Sequence, residues 1–297
     1  MKSTRFLSSL FLLFAGVWSI AQDCTCSLCS RSTEVLQDLN FDIAEPNYEA
    51  AYAFNKTNIT NRKQHAYPNL READVAWSRK YERIIDARQK KNLGLLYPKS
   101  ALAKILLKAA YTGMVDVYSK RDLTEPVPSE RIPMLGVFKE LISVPDSIDP
   151  SITHSYISLV RPNWESMVKF RIIEEWVFDK LHSKLIPRIV AIAPLYRPVV
   201  GGIELPEQPL FWIKYDEIRP IFANSEVFSR SNDAARLSYD HFFQARMFDS
   251  YVVKEPNVFD KDVAHYAEFE ENTLAALLES ERIKNEIFIM EHDLWEY

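Results

Sequence analysis

The residues best equipped for chemistry are few and scattered. Three cysteines crowd into CTCSLC as Cys24, Cys26 and Cys29. A C-x-C-x-x-C spacing can hold zinc or Cu(I) through its thiolates. A closed zinc site takes four ligands, however, and no histidine stands nearby in the sequence. In an oxidising compartment the same residues give one disulfide and one leftover thiol. We expect neither metal nor other cofactor. Glu174 and Glu175 in EEW, and the acids of EFEEN, are adjacent carboxylates, and glycoside hydrolysis uses two carboxyl groups several ångströms apart. Neighbours on a strand, by contrast, point to opposite faces. His65, His154, His182, His241, His265 and His292 never recur at i,i+3 or i,i+4, so no helical two-histidine site is encoded. G-x-S-x-G and H-E-x-x-H are absent. Gly201–Gly202 lacks the strand–helix context of a phosphate loop and reads as a turn. The expectation is a protein without catalytic residues. The alternative is a secreted hydrolase working through Glu174 and Glu175.

The elements that would position such groups belong to a chain of 297 residues, 47% apolar, which is enough for a substantial core. Residues 1–21 have the form of an export signal: Lys2 and Arg5, then FLSSLFLLFAGVW, then Ser19 and Ala21 before a cut at Gln22. Asp23 precedes Cys24, where a lipidation site would place a small residue, so no lipid anchor of its own is expected. Without Lys2 and Arg5 the 36 basic residues fall to 34, against 41 acidic, a charge near −7. Such a chain has no general field for nucleic acid. Residues 22–69 are polar and aperiodic and read as a flexible N-terminal arm preceding a domain at 70–297.

READVAWSRKYERIIDARQKKN opens that domain. On a helical wheel Leu70, Ala73, Trp77, Tyr81, Ile84 and Ile85 share one side, so an amphipathic helix is expected. SALAKILLKAAYTG predicts another, from Ser100 to a stop at Gly113. The proline-rich stretch 119–165 reads as a long irregular connection. MVKFRIIEEWVFDK and LIPRIVAIAPLY, separated by LHSK, predict a β-hairpin, with PLFWIKY as a third strand. Residues 232–251 read as helical. The terminal helix, near 272–295, is apolar on two sides. Leu274, Leu277, Leu278, Phe288 and Trp295 lie on one, and Ile283, Ile287, Met290 and Leu294 on the other. Two apolar sides mean burial or a shared surface, and we take the Ile283, Ile287, Met290, Leu294 stripe as the candidate partner interface. The order of elements gives an α+β fold: a small antiparallel sheet packed with several helices.

Several of these segments, in this order, carry a resemblance. READVAWSRKYERIIDARQKKNLGLLYP, SALAKILLKAAYTGMVDVYS, EEWVFDKLHSKLIPRIVAIAPL, SYDHFFQARMFDSYVVKEPNVFDKDVAHY and LLESERIKNEIFIMEHDLWEY resemble the GldN/PorN family over nearly all of 70–297. That family is a periplasmic component of the type IX secretion and gliding motility machinery of Bacteroidota. The resemblance implies a non-enzymatic subunit that self-associates in a ring with an outer-membrane lipoprotein, GldK or PorK. It also implies contact with the periplasmic part of the motor protein GldM or PorM. CTCSLC is not part of the resemblance.

Overall fold

Trp77, Tyr81 and Ile85 stand four residues apart, a spacing that fits one side of a helix and equally one face of a strand. The computed structural model resolves the ambiguity: Val75–Asp86 is a strand, β1, not the expected helix. It pairs along its whole length with Lys169–Asp179 (β5). β-Branched and aromatic residues suit that pleated, half-buried position, and the deciding pairing is nearly a hundred residues away. The structure describes residues 62–145, 153–200, 203–230, 232, 234, 236–266, 269 and 272–293. The export segment, Cys24, Cys26, Cys29, the arm up to residue 61, Gly201–Gly202, the acids of EFEEN, Leu294 and Trp295 lie outside the described residues.

The strands in chain order are β1, Val117–Tyr118 (β2), Phe138–Pro145 (β3), Thr153–Val160 (β4), β5, Lys184–Tyr196 (β6), Val199–Val200 (β7), Ile203–Glu204 (β8), Gln208–Pro209 (β9), Trp212–Lys214 (β10) and Tyr251–Lys254 (β11). The main sheet runs β11-β1-β5-β6-β10-β2, with β9 beside β6, and its pairings are antiparallel. The β5–β6 hairpin is the one expected from sequence, and it turns through Ser183 at φ +50°. The stretch 119–165 is not wholly irregular: β3 and β4 form a separate two-stranded ladder within it. Prolines bracket those strands and masked their alternation.

Among the described residues four α-helices accompany the sheet: Leu102–Tyr111 (α1), Tyr215–Asn224 (α2), Tyr239–Gln244 (α3) and Thr273–Asp293 (α4). α1 stops at Gly113, whose φ of +68° is the left-handed geometry expected of a C-terminal glycine. Of the helix expected over 232–251, only α3 forms, followed by extended β11. The fold is α+β, as expected.

Strand alternation gives the sheet two unlike faces. Ile85, Phe170, Ile172 and Ile192 point to one face, where they form the largest core with α1, α2 and α3. Within that core Phe222 and Phe243 stack at 5.5 Å, and Tyr215 meets Phe243 edge-on at 6.0 Å. Such aromatic pairs add about 0.5–1.5 kcal/mol each beyond their area. Tyr81, Trp176 and Val252 form a second cluster with Ile283 and Ile287 of α4. The opposite face holds a smaller apolar group, Tyr118, Ile173, Ala191, Ala193 and Trp212, and otherwise carries charge.

Candidate functional site

Glu174 and Glu175 do not converge. Successive residues of β5 face opposite ways, and the two carboxylates have different partners. Glu174 is 0% exposed, on the helix-covered face. Arg246 grips it through two bonds, Nη1 to Oε1 at 3.0 Å and Nη2 to Oε2 at 3.1 Å. Trp176 Nε1 donates to Oε2 at 3.2 Å, and Arg83 Nε lies 3.9 Å away. Arg83 in turn donates to Ser250, from Nε to Oγ at 2.9 Å and from Nη2 to the carbonyl at 3.2 Å. Burial pushes the Arg83 guanidinium below its usual value, opposed by the Glu174 carboxylate. Glu175 is half-buried on the other face and accepts a bond from Ser78 Oγ at 2.7 Å. Glu174 is thus a buried, paired carboxylate while Glu175 faces the other way, so the two do not form the facing pair that glycoside hydrolysis uses.

The charged face holds a concavity of about 830 Å³. Its base is a lattice of paired charges. Glu82 accepts from Arg171 at 2.7 Å and from Arg121 at 3.1 Å, and Arg171 donates on to Asp262 at 2.9 and 3.0 Å. Arg121 also bonds Asp260, which Lys254 Nζ meets at 2.7 Å. The Lys254 bond, aided by Arg121, holds the Asp260 carboxyl below the usual aspartate range. The lattice joins β1, β5 and β11 to the loops after β2 and β11. Its groups neutralise one another, leaving none poised as nucleophile or base. Among the described residues no three His, Cys, Asp or Glu side chains are placed to share a metal ion.

The candidate interface stripe divides. Ile283 is 1% and Ile287 5% exposed, both packed on the sheet beside Tyr81, Trp176 and Val252. Met290 is half-buried, and Leu294 lies outside the described residues. The exposed side of α4 is the other one, with Leu274, Leu277, Leu278, Phe288 and Ile289 in solvent. Sequence periodicity showed both apolar sides of the helix, but not which one the sheet would take. Among the described residues no helix is long and apolar enough to cross a membrane.

Two features had no place in the sequence reading. The described part of the arm, from Arg62, lies along the body. His65 N donates to Asp240 Oδ2 at 3.0 Å, and Tyr67 lies over Arg219, 3.9 Å from ring centre to guanidinium. Arg219 and Asp240 are a buried ion pair at 3.0 Å. The second feature is the loop after β11, where Val258 is 96% and Phe259 80% exposed. Its signal in sequence is two apolar residues set inside turn chemistry, E-P-N-V-F-D.

Exposed apolar surface of this kind is what an interaction site presents. Among known families, residues 70–296 match the one described as "Gliding motility associated protein GldN". The chain belongs to the GldN family. Membership makes it a component of the gliding motility and type IX secretion machinery. No curated protein matches the chain. The GldN match starts at Leu70, a few residues after the strap that this chain lays over Arg219.

Proposed function

We propose that this GldN-family chain is a periplasmic structural subunit of the type IX secretion and gliding machinery. In this reading it is exported by residues 1–21 and carries no lipid of its own. It assembles as a ring with an outer-membrane lipoprotein of the GldK/PorK type and meets the periplasmic shaft of a GldM/PorM-type motor protein. The observation that carries the reading is the family match across 70–296. The site geometry is in keeping with it: Glu174 and Glu82 are committed to arginines, while α4 and the loop after β11 expose apolar side chains.

The test is co-purification of the full mature chain with the lipoprotein and with the periplasmic region of the motor protein. The expected result is a large complex with the lipoprotein and a weaker association with the motor region. A chain that stays monomeric in the presence of both sinks the proposal. N-terminal sequencing of the exported protein should begin at Gln22.

A further inference from the structure

The strap Arg62–Pro68 lies against the body with no helix or strand of its own, and the body reads its main chain at four points. Asn224 Oδ1 accepts from Arg62 N at 2.9 Å, and Asp240 Oδ2 accepts from His65 N at 3.0 Å. The His65 carbonyl accepts from Arg219 Nη2 and, at 3.4 Å, from Gln244 Nε2. The Pro68 carbonyl accepts from Arg188 Nη2 at 2.6 Å. Two strap side chains add selectivity. The Arg62 guanidinium lies 3.5 Å from the Glu226 carboxylate and donates to the Arg236 carbonyl at 3.1 Å. The Tyr67 ring covers two guanidinium groups, with Arg219 at 3.9 Å and Arg188 at 5.1 Å from its centre. α2, α3 and β6 therefore form a groove whose one end takes an arginine and whose other end takes an aromatic ring.

The strap fills this groove loosely. Arg62 and Tyr67 are half-buried, while Lys63, Gln64, His65, Ala66 and Pro68 are exposed. Its hold rests on bonds for which water competes, set against the entropy of ordering seven residues. The fit is also incomplete. Tyr215 Oη and Arg188 Nε are two of the three buried side-chain polar atoms that have no hydrogen-bond partner among the described residues. Tyr215 is 0% exposed, and burial, then the nearby Tyr67 and Asp240, push its phenol well above the ordinary range. An unmatched buried polar atom costs stability, so the groove has recognition capacity that the strap leaves unused. Burial also raises the Tyr67 phenol, eased by Arg219 and reinforced by Asp216 and Asp240. A phenol suits this end of the groove, where a carboxylate or phosphate would meet two acids. The groove residues fall within 70–296, whereas the strap precedes that match.

We propose that the groove of α2, α3 and β6 is a docking site for a linear peptide, and that Arg62–Pro68 is its exchangeable occupant in cis. The strap's own sequence shows what the groove takes: an arginine followed five residues later by a tyrosine, with the main chain between them read by Asp240 and Arg219. While the strap is down, a second peptide is excluded. When it lifts, a partner segment of the same chemistry gains the Arg219 and Arg188 guanidinium groups and the unmatched Tyr215 hydroxyl. The strap then acts as an autoinhibitory cover, and the affinity for a partner falls in proportion to the fraction of chains that hold it closed.

The probe is a fluorescent synthetic peptide with the sequence of residues 62–69, RKQHAYPN. It is titrated into the full mature chain, unmodified and as Tyr67→Ala, which loosens the strap and leaves the groove intact. Fluorescence anisotropy should show binding at least tenfold tighter to Tyr67→Ala, because the strap no longer competes. A peptide carrying Arg62→Ala or Tyr67→Ala should bind that chain at least tenfold more weakly than the unaltered peptide. Adding Arg188→Ala to the Tyr67→Ala chain should weaken binding likewise, with thermal unfolding confirming that the half-buried Arg188 is dispensable for the fold. If Tyr67→Ala unfolds the chain, Arg62→Ala frees the other end of the strap and carries the same expectation. No saturable binding to the loosened chain overturns the proposal. So does equal binding to the loosened and unmodified chains, or binding indifferent to both peptide changes.

Discussion

At one end of β11, Arg246 and Ser250 close over Glu174 and Arg83 inside the protein; at the other, Asn257 and Asp260 fix a loop whose apolar side chains stand in water. Both regions are dense in polar bonds, but the bonds serve different ends. The inner set satisfies charges that burial would otherwise penalise by several kcal/mol each. The outer set arranges a surface and returns less stability, because solvent competes for the exposed Asp260 carboxylate. Polar order inside this fold thus marks structure, and polar order outside it marks presentation.

The sharpest way to break the contrast is at Glu174. Glu174→Ala strands Arg83 and Arg246 beside an apolar core, and should lower unfolding free energy by about 3–5 kcal/mol, the usual cost of removing one partner from a buried pair. Glu175→Ala, one residue along and facing the other way, should cost under about 1 kcal/mol. Urea denaturation of both proteins measures the difference. Equal effects would mean that the buried clamp is not what holds β11 and its flanking segment to the sheet.

A second contrast lies within α4. Ile283→Ala removes a side chain wedged among Tyr81, Trp176 and Val252, and should cost about 2–5 kcal/mol. Leu278→Ala, on the exposed side, should change stability by less than about 0.5 kcal/mol. Thermal and urea unfolding of the pair would establish which apolar side of the helix belongs to the subunit. The reverse ranking would return Ile283 to the partner surface.

How much of this was legible in sequence follows from where the deciding contacts lie. The β5–β6 hairpin was readable because its strands alternate and a four-residue turn joins them. α1 was readable from its apolar period and Gly113. β1 was misread as a helix because Trp77, Tyr81 and Ile85 obey both periods, and the pairing with β5 that settles it is non-local. The exception in β5, Glu174, stood out as a polar residue on an apolar parity. Its partners Arg83 and Arg246 come from elements that only the fold brings together. α4 showed two apolar sides and no sign of which was inward. The stretch SYVVKEPNVF reads as extended in sequence, and the order of the loop at Val258–Phe259 depends on Lys254 and Arg121, the latter far away in sequence.

The smallest effect in the comparison is acid sensitivity of the loop. Lys254 and Arg121 hold the Asp260 carboxyl below its ordinary range, so the ionised form is favoured in the folded protein. The contribution is therefore complete above the unfolded aspartate value, near pH 4. It is lost as pH falls through the lower folded value and the carboxyl takes up a proton. Because Asp260 is solvent-exposed, global stability should barely register the change. Backbone amide exchange at Asp260 and Lys261, whose N–H groups bond to Asn257, is the better probe. Relative to the intrinsic rate at each pH, it should accelerate as pH falls below about 4, and not at neutral pH. Asp260→Asn should show the faster exchange already at neutral pH and lose the acid step. If the variant keeps both the protection and the acid step, the loop is held by Asn257 alone, and the charge lattice stops short of Val258 and Phe259.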